Sequence, residues 1–149
     1  MKSQSISSEI YELIPHRPPM LLINEVVSLS ATNSSALVHI DSSAPFYSSS
    51  GVPSWIGLEY MGQTAALIAG FQLREGLCKP HLGFLLGTRQ FSADTDYFIS
   101  GHSLLVSVEE GAVVGESLAK FNCIIEDSQS SNKLAKATLS VFRKPLEET

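Results

Sequence analysis

Cysteine and charge are both scarce in this chain of 149 residues, and what they leave out narrows the reading. Cys78 and Cys123 are the two cysteines, without the short spacing of a metal site, and this usage suits a reducing, cytoplasmic setting. The ten Lys and Arg are scattered and outnumbered by fifteen Asp and Glu, giving a net charge of −5. Nucleic acid is therefore not an expected partner. His16, His39, His81 and His102 are dispersed and give no metal signature. Nothing before Ile6 has the charged start and apolar stretch of a secretory signal. The one long apolar run, 55–71, approaches the length of a membrane span, but Glu59 and Gln63 interrupt it and favour a buried helix over membrane insertion.

What is present fits one ordered domain. Hydrophobic residues make up 44% of the chain and charged residues 17%, enough to build a core at this length. A single domain over 1–149 is expected, with Ser-rich residues 1–8 fraying. Residues Ser8 to Ile14 suggest a short helical turn that Pro15 ends, and Pro15-His16-Arg17-Pro18-Pro19 reads as a stiff, extended link. Met20–Ser30 and Ser35–Asp41 read as a hairpin of two strands turning at Thr32-Asn33-Ser34, with Ala36, Val38 and Ile40 on one face. Pro45 to Gly51 is a loop. Leu82–Phe91, Ser103–Val114, Ser117–Glu126 and Lys133–Arg143 then read as four strands, most simply antiparallel because their connectors are short. There is no internal repeat. Two strands, one long helix and four strands predict an α+β fold, with one antiparallel sheet packed on the helix.

Residues 51–71 hold the centre of this pattern. Pro53-Ser54 supplies a stop and cap, the helix starts at Trp55, and Arg74-Glu75-Gly76 marks its exit. Gly62, Ala65, Ala66, Ala69 and Gly70 form a small-residue stripe that lets another backbone approach. The helix is apolar nearly all round, which places it inside the structure. Glu59 is the sole charged residue between Ser42 and Leu73. A carboxylate in apolar surroundings must be protonated, find a partner or border a wet cavity, so Glu59 is the leading candidate for a site. Gln63, four residues on, shares its face and can bond it or line the same pocket.

Segments 14–24 (IPHRPPMLLIN), 52–63 (VPSWIGLEYMGQ), 83–91 (GFLLGTRQF) and 99–102 (ISGH) occur in an order that resembles the hotdog-fold 3-hydroxyacyl-[acyl carrier protein] dehydratases of fatty acid synthesis. The wording is most similar to the dehydratase-like proteins of aryl polyene lipid biosynthesis. The resemblance spans roughly residues 10–143. It implies a sheet wrapped round a central helix, with Glu59 on the family's catalytic carboxylate and Gln63 on the glutamine that follows it. The family's catalytic histidine lies in a Gly-His-Phe-Pro segment before the helix. Here Pro45-Phe46-Tyr47 runs through Ser48-Ser49-Ser50-Gly51 directly to Val52-Pro53, and no histidine is present.

Dehydration needs a base for the α-proton and an acid for the leaving hydroxyl, and this chain visibly supplies one of the two. The resemblance implies a dehydratase acting on acyl chains held by acyl carrier protein, without a cofactor or metal. Because the family's catalytic pair comes from two protomers, it also implies a homodimer or a heterodimer with a histidine-bearing relative. An acyl thioesterase using Glu59 and a non-catalytic acyl-binding or stabilising subunit are the alternatives. Amides around Trp55–Gly57 are candidates to polarise a thioester carbonyl, which makes Trp55, Gly57 and Gln63 the expected substrate-binding residues. Trp55 otherwise reads as core or interface packing. His16 reads first as packing beside the first strand, and is the one histidine whose motif context lets it be recruited. Arg17, Arg74, Lys79 and Arg89 are candidates for a patch facing the acidic carrier protein, against the plainer reading of solvated charge.

Overall fold

The computed structural model describes residues 6–77, 81–115 and 117–145. Cys78, Lys79 and Pro80, and residues 1–5 of the segment expected to fray, lie outside them, as do the side chains of His81 and Arg89. The chain begins with α1 (Ser8–Leu13) and passes through β1 (Glu25–Leu29) and β2 (Asn33–Ile40) to the short strand β3 (Val52–Pro53). A 3₁₀ turn over Ser54–Ile56 leads into α2 (Gly57–Arg74). Five strands follow, β4 (His81–Ala93), β5 (Tyr97–Phe98), β6 (His102–Val114), β7 (Leu118–Asp127) and β8 (Lys133–Pro145).

Six strands form one antiparallel sheet in the order β1-β2-β6-β7-β8-β4. The long helix α2 touches all six, so the sheet curls round it as the hotdog arrangement requires. Alternation sets the faces. On β7 the odd-numbered residues Ala119, Phe121, Cys123 and Ile125 are buried, and on β8 Ala135, Ala137 and Leu139. Tyr60, Met61, Thr64, Leu67 and Ile68 of α2 meet them in the core.

The hairpin, the four later strands and α1 agree with the expectations, with several corrections. Ser7 and Ser8 are held rather than frayed, since the Ser7 N–H donates to Asn24 O at 2.8 Å and Ser8 opens α1. The 15–19 link turns instead of staying extended, because Arg17 O accepts from both Met20 and Leu21 N–H. Residues Leu21 to Asn24 are buried but precede the strand proper. Consecutive strands are not always neighbours: β4 lies at the far edge beside β8, whereas β6 pairs with β2. The cap positions fall at Pro53 and Ile56 rather than at Ser54; the Ser54 N–H donates to Asp96 O at 2.9 Å, fastening the helix start beside β5. No helix among the described residues is long and apolar enough to cross a membrane.

Candidate active site

The helix α2 is not buried all round. Glu59, Gly62, Ala66, Ala69 and Leu73, spaced three and four apart, share one side that is half-buried or exposed. That side forms a wall of a groove of about 340 Å³, closed on its other sides by Leu13, Pro15 and His16 from the α1 link and by Phe121, Val141 and Arg143 from the sheet. The small-residue stripe thus serves two purposes. At Gly70 it admits a backbone: an added Cβ would lie 1.9 Å from Leu13 O. At Gly62 it leaves open space, with no atom within 4 Å of that position.

Glu59 opens onto this groove, its side chain 43% exposed in the single chain. Of the three ways to accommodate its charge, two operate here: it reaches partners and it borders a cavity. Gln63 Nε2 donates to Glu59 Oε1 at 3.1 Å, and His16 Nε2 stands 4.0 Å from the same oxygen. Gln63 itself is fully buried. Its Oε1 accepts from Leu22 N–H at 2.8 Å and its Nε2 donates to Met20 O at 2.8 Å. It therefore orients the carboxylate and pins the 20–22 segment to the helix, and has no exposed atom to offer a substrate.

His16 is brought to the groove by the turn of the link. Arg17 fixes that turn, its guanidinium donating to Ile14 O, His16 O and Tyr11 O at 2.9, 2.7 and 3.0 Å and lying over the Tyr11 ring. Arg17 itself remains exposed, its charge presented to solvent. Arg74 faces Glu9 and Glu75 at 4.0 and 3.9 Å. His16 Nδ1 is enclosed without a hydrogen-bond partner, alone in this respect among buried side-chain polar atoms of the described residues.

At the groove's other end, Arg143 Nη2 donates to Glu110 Oε1 at 3.3 Å, with both side chains largely buried, and Gln72 Nε2 donates to Glu110 Oε2 at 3.1 Å. Leu73 lies fourteen residues after Glu59 on the helix, roughly 20 Å at 1.5 Å per residue. An apolar channel of that length, with a carboxylate and an imidazole at one end and an ion pair at the other, suits a long acyl chain. Strand alternation contains the signal for Arg143, which follows Leu139 and Val141 on the inward face of β8.

Two of the expected substrate contacts lie elsewhere. Trp55 is 63% exposed, neither core nor groove wall. Gly57 is buried with no room for a side chain, since a Cβ there would sit 2.9 Å from Ile125 Cδ1. Its N–H turns back to Ser54 O and Trp55 O, so this amide is not free to polarise a carbonyl. The other described histidines are occupied: His39 bonds Glu25 and Ser103 at 2.7 and 2.8 Å, and His102 Nδ1 meets Asp127 Oδ2 at 2.5 Å. The Asp127 carboxyl is held below the usual range by the Gln129 N–H, then by His102 and the Ser130 N–H. Burial pushes the Cys123 thiol up to about 12 and the Tyr60 phenol above its ordinary value, so neither is a ready nucleophile. No three His, Cys, Asp or Glu among the described residues group as metal ligands. A larger depression of about 460 Å³ crosses the outer side of β2, β6, β7 and β8 and contains none of the expected site residues.

Known proteins share this architecture. The dehydratase heterocomplex ApeI:P from Xenorhabdus doucetiae superposes with a TM-score of 0.80 at 23% identity, covering 93% of this chain and 91% of that one. A hypothetical thioesterase with coenzyme A from Streptococcus pneumoniae TIGR4 has a TM-score of 0.63 at 11% identity, covering 83% and 88%. In sequence, the 3-hydroxyacyl-[acyl-carrier-protein] dehydratase FabZ of Anaeromyxobacter dehalogenans strain 2CP-C is 34% identical over 84 residues, 52% of this chain and 54% of that protein. The match thus spans about half the length of this curated relative. The ApeP-like family, described as ApeP dehydratase, matches residues 8–149. With its groove, central helix and six-stranded sheet in place, and with this match running almost from end to end, the chain belongs to the ApeP-like dehydratase family.

Proposed function

We propose that this protein is a hydro-lyase that removes water from 3-hydroxyacyl thioesters carried by acyl carrier protein, in fatty acid or aryl polyene lipid synthesis. The observation that carries the reading is Glu59, a carboxylate facing the end of a long apolar groove and held there by Gln63. The groove takes the chain, and Glu59 handles the proton that dehydration must move. Family membership and the dehydratase relative support the same chemistry. Under this reading the chain contributes one hotdog domain to a cytoplasmic assembly.

A homodimer, or a heterodimer with a related dehydratase subunit, is the expected assembly. Among the described residues the edge strand β4 is paired on one side, by β8, and an edge of thirteen residues is a surface that proteins cover. The heterocomplex known for a structural relative is consistent with this.

The decisive measurement is dehydration of a 3-hydroxyacyl carrier protein by the chain, alone and mixed with a histidine-bearing dehydratase subunit of the same family, before and after Glu59→Gln. The substitution keeps the shape and removes the proton-transferring carboxyl, so turnover is expected to fall by 10²-fold or more. Retention of the wild-type rate would leave the chain as a stabilising subunit. Release of free acid instead of the unsaturated thioester, lost in the variant, would make it a thioesterase.

A further inference from the structure

The far end of the groove is closed by charge. Alternation turns Leu104, Val106 and Val108 of β6 inward and, on the same count, Glu110. On β8 it turns Ala135, Ala137 and Leu139 inward and then, on the same count, Val141 and Arg143. Two ionised side chains thus stand where the strand pattern asks for apolar ones. They pair, Arg143 Nη2 donating to Glu110 Oε1 at 3.3 Å, with the side chains 15% and 9% exposed. Stability alone does not account for such a pair, because taking both charges out of water costs about as much as their attraction returns.

The pair is also held in place from several elements. The Glu110 N–H donates to Thr32 O at 2.7 Å, and the Arg143 N–H to Ser117 O at 2.6 Å. Gln72 Nε2, from the last turn of α2, donates to Glu110 Oε2 at 3.1 Å and to Ala31 O at 2.6 Å. The Arg143 guanidinium lies over the Phe121 ring, 5.8 Å from its centroid. Helix, hairpin turn and sheet therefore meet at one fixed polar cluster.

We propose that the Arg143–Glu110 pair is the floor of the acyl groove and sets the longest chain that seats in it. The inference rests on the reading that this groove takes the acyl chain, and it holds whichever protomer supplies the group facing Glu59. The thioester end belongs beside Glu59. The chain then runs along Gly62, Ala66 and Ala69 towards Leu73, where Phe121, Val141 and Arg143 form the opposite wall. A terminal methyl can displace a loose apolar side chain at small cost. To pass Arg143 it must instead break the ion pair and leave Glu110 buried with only Gln72, or strip water from the remaining guanidinium N–H groups without offering them an acceptor. Each methylene buried short of the floor tightens binding about fourfold, and the next one gains nothing.

Saturated acyl pantetheine thioethers of increasing length, which can be neither dehydrated nor hydrolysed, test this on the full chain in the oligomer it forms. In the wild type, Kd is expected to fall about fourfold per carbon up to a break and to stay flat beyond it. Arg143→Leu combined with Glu110→Gln lowers the floor and removes both charges. The break is then expected to move at least two carbons outward, so that, measured against a short probe, chains past the wild-type break gain at least tenfold. An unmoved break overturns the proposal and leaves the pair as a clamp between helix and sheet. A measurement on the unmodified protein does not depend on the variant folding: a probe of break length with a diazirine at its last carbon is expected to label Leu73, Phe121 or Val141. Labelling confined to other residues overturns the assignment. A Kd that is independent of length at every step removes the groove's acyl role and the floor with it. Glu59→Gln tests the chemistry separately, since dehydration surviving that change counts against the proposed role of Glu59 while the break still decides that of Arg143.

Discussion

At the scale of single residues, the chain separates carboxylates that hold structure from the one that faces the groove. Asp127 is of the first kind. Its Oδ1 accepts from Gln129 and Ser130 N–H at 2.8 and 3.2 Å, and its Oδ2 meets His102. These bonds favour the charged form and lower its pKa in the folded state, first through Gln129, then through His102 and Ser130. A depressed folded pKa stabilises the protein above the unfolded value, and that contribution is lost as pH falls through the folded one. Asp127→Asn should therefore lower the Tm at neutral pH. The gap to wild type should narrow as pH drops below the ordinary aspartate range near 4. A gap that stays constant down to pH 3 in thermal melts would contradict this origin. Glu59 differs: its bonded partner is a glutamine that is itself tied to the backbone, which leaves the carboxylate to the groove.

At the scale of elements, α2 is divided between packing and passage, and two glycines mark the division. At Gly70 the Leu13 carbonyl occupies the place of a Cβ, so Gly70→Ala must push α1 away. The link carrying His16 would move with it, with an overpacking cost of about 3 kcal/mol. At Gly62 the space is open, and Gly62→Ala should stabilise by about 0.5–1 kcal/mol through helix propensity. A bulkier Gly62→Leu should fold yet slow long acyl substrates more than short ones. Denaturant melts and a chain-length series check both halves. Loss of stability at Gly62, or none at Gly70, would mean that the groove is drawn on the wrong side of the helix.

Much of this was legible in the chain. Periodicity marked α2 and the four later strands to within a few residues, and the isolation of Glu59 pointed to the face of α2 that borders the groove. What escaped is what depends on distant partners. The two-residue strands β3 and β5 are too short to carry a pattern. The path that sends β4 to the far edge is set by packing on the helix, not by connector length. The half-open face of α2 reads as apolar because glycine and alanine line a groove as readily as a core. His16 is forty-three residues from Glu59, and only the folded turn held by Arg17 brings them together.

At the scale of the whole molecule, one end of the domain bears apolar side chains that a lone protomer leaves uncovered. Phe46, Trp55, Tyr97 and Ile99 are 50, 63, 39 and 56% exposed. Neighbouring backbone carries them: β3 pairs with β5, Ser54 N–H bonds Asp96 O, and Gly51 lies against Phe98 O and Ile99 Cα. Large aromatics gathered in this way are typical of surfaces that become buried on association. The proposed dimer gives them a use, and the chain contains its own reporter, since Trp55 is its single tryptophan. If this end is covered, diluting the assembly should move the Trp55 emission to longer wavelength and open it to iodide quenching, in step with the mass seen by sedimentation. Trp55→Ser should then weaken association by about 2 kcal/mol, roughly 30-fold in Kd, without altering the far-ultraviolet circular dichroism. If mass falls on dilution while the emission stays fixed, the protomers meet elsewhere, and the unpaired edge of β4 becomes the surface that joins them.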